Sequence, residues 1–134
     1  MSSKSSWIIT LMFGLALMGC GESGPALNPV EGIAEIEGEG TVTQGQVVMV
    51  SSNTTATGII GSDGKFKMGT NKDGDGVPAG DYQVTVMGTS TGDYTDRKQV
   101  IDEKYEAAGT SGLKFKVEAK SNNCPLKLTK PVAK

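Results

Sequence analysis

The segment Leu113-Lys114-Phe115-Lys116-Val117-Glu118 decides the fold class of this 134-residue chain. Apolar and charged residues alternate along it, so three apolar side chains would point to one face and three charged ones to the other. Alternation with a period of two is typical of a β-strand that is buried on one side. The segment therefore predicts a half-buried strand.

Other alternating segments and the turns between them extend this prediction along most of the chain. Residues 65–68, 82–86 and 126–128 alternate in the same way, and Asp63-Gly64 is a strong hairpin signal between two predicted strands. No segment after residue 20 keeps apolar residues at helical spacing for three turns. About seven short strands with frequent turns predict an all-β fold, an antiparallel β-sandwich.

The predicted domain covers residues 30–130, after a tether at 20–29 and before a tail at 131–134. Its strand faces predict one modest core, as expected for a domain of about 100 residues. Tyr82 is expected to cover an edge of this core while its hydroxyl reaches water. The residues predicted to point inward are Ile36, Val48, Val50, Ile59, Phe66, Met68, Tyr82, Val84, Val86, Leu113, Phe115, Val117, Leu126 and Leu128.

The net charge and its distribution along the chain limit which kinds of partner molecule can be expected. The formal net charge is only -2, and the basic residues lack the interleaved aromatic residues typical of nucleic-acid binding, so no nucleic-acid partner is predicted. Glutamates without any base occupy residues 22–39, whereas lysines dominate after residue 113. The first and last strands of a sandwich can lie near each other, and mutual attraction between them is our preferred explanation of this asymmetry. Four strand lysines are expected to solvate outward faces and protect sheet edges: Lys65, Lys67, Lys114 and Lys116.

No histidine occurs in the chain. Histidine is the commonest general base and zinc ligand, and familiar nucleophilic triads depend on it. No spacing of carboxylates or lysines suggests another catalytic site. The sequence therefore predicts a protein that is not an enzyme and needs no cofactor. We also expect it to be a monomer.

Residues 1–19 have the features of a secretory signal peptide. Lys4 precedes an apolar segment at 7–18, which is too short for a membrane span of roughly 20 residues. Small, polar and turn-forming residues follow it. The alternative, a buried N-terminal helix, fits these flanking residues less well.

Leu17-Met18-Gly19-Cys20 directly follows the apolar segment and resembles the lipobox of bacterial lipoproteins. In that family the cysteine thiol carries a diacylglycerol, and cleavage before it frees an N-terminus for a further acyl chain. The resemblance implies that Cys20 anchors an exported protein to the bacterial cell envelope, on its periplasmic or outer face. A disulfide between Cys20 and Cys124 is the alternative, and it would exclude a lipid on that sulfur. Without that disulfide, Cys124 is expected to be a small strand residue and not a reactive group.

Four motifs in order resemble a large family of short bacterial lipoproteins with carboxypeptidase regulatory-like domains. The resemblance implies a transthyretin-like (prealbumin-like) Greek-key sandwich of seven strands, with motif residues that serve the architecture. Most members of that family have no assigned activity, so it implies a fold and an envelope location. The motif residues are Val30 and Gly32; Thr57, Gly58, Asp63, Gly64 and Phe66; Pro78, Gly80, Tyr82, Val84 and Val86; and Lys104, Tyr105, Ser111 and Leu113.

The preferred function is a structural or accessory role in the cell envelope. The alternative is a binding module for an envelope glycan or a protein, with residues 69–81 and 88–96 as loops at one end of the sandwich. Tyr94 is the leading binding residue because its ring could stack on a sugar, and Asp93 and Asp81 are further candidates.

Asn71, Asp73 and Asp75, followed by Gly76, resemble the first half of a calcium-binding loop. Calcium requires about six to eight oxygen ligands and usually a bidentate carboxylate at the twelfth position of such a loop, where Tyr82 stands. A solvated turn is therefore the preferred interpretation, with a weak calcium site as the alternative.

Overall fold

The computed structural model describes residues 26–93 and 95–132. The predicted signal peptide, Cys20, Tyr94 and the last two residues lie outside the described residues. Helical structure within them is limited to a 3-10 turn (Glu103–Glu106) and one short helix, α1 (Ala108–Ser111). The strands are β1 (Leu27–Asn28), β2 (Val30–Ile36), β3 (Gly40–Thr41), β4 (Gln46–Val50), β5 (Thr55–Ile59), β6 (Lys65–Lys67), β7 (Val77–Pro78), β8 (Gly80–Met87), β9 (Leu113–Val117) and β10 (Asn122–Leu128).

Two four-stranded sheets contain most of these strands. The first sheet has the order β10-β2-β3, with β6 also paired to β2, and the second has the order β5-β4-β8-β9. β1 and β7 form a separate two-stranded pair. Both sheets contribute to one cluster of buried apolar residues, so the prediction of an all-β protein is confirmed.

The first and last long strands are neighbours, which agrees with the preferred explanation of the charge asymmetry. β10 pairs with β2 from Asn122 opposite Val30 to Leu128 opposite Ile36, and the Lys130 ammonium lies 2.9 Å from a carboxylate oxygen of Glu39. The pairing is parallel, so the prediction of a wholly antiparallel sandwich was wrong for this pair. The reason is that β10 follows β9, which belongs to the second sheet. β10 is therefore not joined to its neighbour β2 by a hairpin, which would have made the pair antiparallel.

The inward faces of β4 and β5 differ from the prediction. Val47 and Met49 are fully buried, whereas Val48 and Val50 are only half-buried. β4 pairs with β8, where Val47 lies opposite Val86 and Met49 opposite Val84. The core-facing valines of β8 therefore fix which face of β4 is inside.

Ile59 was also predicted to be buried, and its side chain is 67% exposed. The core face of β5 is formed by Ala56 and Gly58. The sulfur of Met68 lies too close to Gly58 for a larger side chain at that position. Ile60, just beyond the strand, is buried instead, and its amide donates to the carbonyl of Gly45 at 2.9 Å.

Two further segments complete the fold. β1 begins inside the predicted tether, and the Asn28 side-chain amide donates to the Val77 carbonyl at 3.1 Å. Between β8 and β9, Ile101 and Tyr105 enter the core. The Tyr105 hydroxyl lies 3.0 Å from the Thr129 hydroxyl and accepts from its amide at 3.1 Å, so this segment is attached to the end of β10.

Candidate functional site

The two candidate binding loops lie at opposite ends of β8. Residues 69–79 precede this strand and residues 88–96 follow it, and eight extended residues span roughly 26 Å at about 3.3 Å per residue. Asp81 and Asp93 are therefore not brought together, and the expected arrangement of both loops at one end was wrong. Tyr94, the leading candidate, lies outside the described residues.

Asp93 holds the turn in which it lies. Its carboxylate accepts from the Thr95 hydroxyl at 2.8 Å, the Thr95 amide at 3.0 Å and the Asp96 amide at 3.1 Å. The Thr95 hydroxyl, followed by these amides, lowers the pKa of Asp93. This carboxylate stabilises a local turn in the structure.

Asp75 has the same role in the candidate calcium loop. Its carboxylate accepts from the backbone amides of Thr70 at 2.7 Å, Asn71 at 3.2 Å and Lys72 at 3.0 Å. These amides lower the pKa of Asp75, the amide of Thr70 most. Asp73 is exposed nearby, and no cluster of three metal-ligating acids or thiols occurs within residues 26–93 and 95–132.

The third candidate, Asp81, lies in a groove over strands β4, β8 and β9 of the second sheet. Val50, Gln83 and Lys114 form one cross-strand row over β4, β8 and β9. Asp81 lies opposite Lys116 in the next row. With Ser51, Ser52, Tyr82 and Phe115, these residues line an open groove of ≈ 860 Å³.

The charged groups of this groove are available to a ligand. Asp81, Lys114 and Lys116 are exposed. None of the three takes part in the ion pairs of the described residues, which are Lys67–Glu31, Lys120–Glu118 and Lys130–Glu39. The groove therefore offers two cations, one anion, an amide and two hydroxyls on a partly apolar floor, a set suited to a polar ligand with some negative charge.

Tyr82 holds the start of β8, the strand that carries Asp81, against the turn that precedes it. Its side chain is 4% exposed, and its hydroxyl donates to the Pro78 carbonyl at 2.8 Å. Burial raises the pKa of the Tyr82 phenol. The hydroxyl was expected to reach water, and it instead ties the start of β8 to the turn before it, in the manner of a tyrosine corner.

Cys124 lies in β10 and is 1% exposed. Burial raises the pKa of its thiol to about 12, so the thiol stays protonated at neutral pH and is a poor nucleophile. This setting suits a small strand residue and does not suit an exposed partner for a disulfide.

Sequence reasoning missed the groove because its residues come from three strands that are distant along the chain. The signal that could have found it is the pairing register, since Gln83 and Lys114 become neighbours only when β8 and β9 pair. No helix among the described residues is long and apolar enough to cross a bilayer.

Comparison with known proteins adds one structural neighbour. No protein-family profile matches this sequence, and no curated protein matches it significantly. The chain is similar to the crystal structure of a DUF3823 family protein from Bacteroides ovatus, with 13% sequence identity and a TM-score of 0.47. The match covers 78% of this chain and 45% of that chain, so this chain spans less than half the length of its neighbour.

Proposed function

We propose that this protein is a lipoprotein of the bacterial cell envelope, in which a lipid on Cys20 anchors a non-catalytic β-domain with a structural or accessory role. The observation that carries the proposal is the position of Leu17-Met18-Gly19-Cys20 directly after an apolar leader. Two or three acyl chains on such a cysteine give stable membrane attachment, whereas one gives only marginal binding.

The setting of Cys124 supports this proposal. A disulfide would require the Cys124 sulfur to be reachable from the tether, and that sulfur belongs to a side chain that is 1% exposed between paired strands. The burial of Cys124 thus favours the proposal in which the Cys20 thiol carries a lipid over the alternative of a disulfide. The first strand begins at Leu27, seven residues after Cys20, and this length of chain reaches at most about 25 Å when fully extended. The domain would stand close to the membrane surface.

The proposal also includes a more specific fold than the all-β class. We assign the domain to the transthyretin-like, carboxypeptidase regulatory-like class of Greek-key sandwiches, preceded by a signal peptide at residues 1–19. The motif residues support it through their structural roles: Gly64 has a φ of 82° in the turn between β5 and β6, and Asp63 accepts from the Lys65 amide at 3.0 Å. Tyr82 fixes the start of β8.

Mass spectrometry of the purified protein tests the anchor. The expected N-terminal peptide begins at Cys20 and carries two or three acyl chains. A Cys20→Ser variant should lose both the acyl mass and the membrane-bound fraction, while the matched Cys124→Ala variant keeps both. An unmodified Cys20, or a full-length chain with residues 1–19 still attached in the cytosol, would contradict the proposal.

A second candidate function is a binding module, and the groove favours it. Of the two binding candidates among the described residues, Asp81 and Asp93, Asp81 lines the groove together with Lys114 and Lys116. A glycan array and a pull-down with the full-length protein in detergent distinguish a glycan from a protein ligand. Loss of the signal in an Asp81→Asn variant, with retention in Asp73→Asn, would place the binding in the groove and not in the 69–79 loop.

A further inference from the structure

The second sheet ends in a strand whose outer edge is open. β9 is the last strand in the order β5-β4-β8-β9, and it has no partner on its far side among the described residues. An open edge presents a row of backbone N–H and C=O groups that can pair with another extended chain. Because β9 is five residues long, it can accept a short added strand.

The other edges of the two sheets are less available. β5 is partly covered, because Thr57 at its centre and Gly69, just beyond β6, exchange two backbone hydrogen bonds of 2.9 and 2.8 Å. β10 contains Pro125, which has no N–H to offer a further strand. The remaining edge strands, β3 and β6, are two and three residues long. β9 contains no proline or glycine, so it is the longest uninterrupted edge in the part of the chain that the structure describes.

The side chains of β9 define what an added strand would meet. Lys114 and Lys116 are exposed on the outer face, where they line the groove. Leu113 and Phe115 point to the other face and pack against the core while remaining half-exposed. An added strand would therefore meet two positive charges on one face and extend the apolar core on the other.

A second copy of this chain is a poor occupant of that edge. An antiparallel pair of β9 strands centred on Phe115 would place Lys114 of each copy opposite Lys116 of the other. Like charges directly opposite each other destabilise strand pairing. The same lysines favour a strand that carries acids at those positions, so the edge rejects copies of itself and selects for the opposite charge.

We propose that β9 binds an extended segment of a partner protein in which acidic and apolar residues alternate. Two acidic side chains of that segment lie opposite Lys114 and Lys116, and the apolar residue between them packs beside Phe115. Backbone hydrogen bonds to the β9 edge provide affinity, and the alternation provides specificity. This inference deepens the binding role of the groove and does not depend on the lipid anchor.

Fluorescence anisotropy with the full-length protein in detergent tests this proposal. The probe is a short fluorescent peptide in which glutamate and valine alternate, and lysine-valine alternation is the control peptide. The glutamate peptide should bind saturably and the lysine peptide should not. The double variant Lys114→Glu/Lys116→Glu should weaken glutamate-peptide binding by about tenfold or more, because it turns two attractive cross-strand pairs into repulsive ones.

A charge-matched variant and modified peptides separate strand pairing from simple charge attraction. Lys65→Glu/Lys98→Glu carries the same net charge as the β9 variant at exposed positions away from β9, and it should bind like the unaltered protein. Two versions of the glutamate peptide are N-methylated at every second amide, one at the odd positions and one at the even positions. Only the version whose methyl groups replace the N–H groups that face β9 should lose binding. Unfolding midpoints in urea establish that both variants are folded.

Three results would overturn the proposal. The first is no binding of the glutamate peptide, and the second is equal binding of both N-methylated versions. The third is equal loss of binding in both charge-reversal variants, which would show that overall charge and not β9 attracts the peptide. If a glycan then still bound in a way that depends on Asp81, the groove would be a binding site for a glycan and not for an added strand.

Discussion

Gly32 lies directly opposite Cys124 where β2 and β10 pair in parallel, so close that a β-carbon on Gly32 would overlap the Cys124 carbonyl oxygen. On its other side, Gly32 lies opposite Phe66 of β6, whose ring would be 2.5 Å from the same β-carbon. The position is therefore closed to any side chain, because two neighbouring strands occupy the space.

Gly32→Ala should destabilise the domain by about 3 kcal/mol or more, since an added methyl group between paired strands forces the backbone apart. Gly109→Ala is the matched control: it lies in α1 and nothing is within 4 Å of its β-carbon position. Alanine there should be neutral or slightly stabilising. Urea denaturation measures both, and equal midpoints for the two variants would contradict the parallel pairing of β2 and β10.

The neighbouring pair Ile59 and Ile60 tests the inward face of the β5 region. Ile60 is 3% exposed and Ile59 is 67% exposed. Ile60→Ala should lower the free energy of unfolding by about 2–5 kcal/mol through lost burial and a cavity. Ile59→Ala should change it by no more than about 0.5 kcal/mol. The reverse ranking in urea denaturation would show that the face predicted from the sequence is the correct one.

The buried thiol of Cys124 predicts a loss of stability at high pH. Its pKa is about 12 in the folded protein against an ordinary value of 9.0. The folded state thus keeps a proton that the unfolded chain releases, so the stabilising contribution is complete below pH 9 and is lost as the pH rises toward 12. The slope from one such group is about 1.4 kcal/mol per pH unit.

Cys124→Ala removes this proton, so its stability should fall less steeply over the same pH range. The difference in slope is the readout, because the cavity left by alanine lowers stability equally at every pH. Tyr82, whose pKa is also raised by burial, adds alkaline dependence to both proteins. Parallel pH profiles from urea titrations would show that the thiol ionises as easily in the folded state as in the unfolded one.

Asp75 predicts the opposite behaviour at low pH. Its hydrogen bonds lower its pKa below the ordinary value of 3.8, so its stabilising contribution is present above that value and disappears as the pH falls through the lower, folded value. Asp75→Asn should destabilise the protein at neutral pH and flatten its acid dependence, whereas Asp73→Asn, at an exposed position, should leave the stability at neutral pH unchanged. Thermal unfolding between neutral and acidic pH measures the difference.

A calcium titration tests whether this loop is a turn held by hydrogen bonds or a calcium site. With Asp75 already bound to three backbone amides, we expect millimolar calcium to give no heat in calorimetric titration and no rise in melting temperature. Binding heat that is abolished by both Asp73→Asn and Asp75→Asn would instead establish calcium as the ligand.

Strict alternation was a reliable guide to the buried faces. β8 and β10 alternate clearly, and their inward residues were predicted correctly. In β4, four of the five residues are apolar, so periodicity could not select a face. Ile59 and Ile60 are adjacent and chemically identical, and the small space beside Gly58 decides between them.

The site was less predictable than the fold because it depends on relationships between distant strands. The spacing of 31 positions between Gln83 and Lys114 carries no local signal, yet the two side chains are neighbours in the groove. The two candidate loops were expected together, and the length of β8 separates them. Composition did suggest an attraction between the early glutamates and the late lysines, and the ion pair of Lys130 with Glu39 agrees with it, because such an attraction depends on charge sign and not on register.

The parallel direction of β2 and β10 gives the molecule a defined polarity. Val30 and Asn122 lie at one end of the pair, and Ile36 and Leu128 lie at the other, about 20 Å away at roughly 3.3 Å per residue. A lipid on Cys20 would hold the first end toward the bilayer, so the Leu128 end of β10 would face away from it. An epitope tag fused after the last residue should then be reachable by antibodies without disturbing the anchor.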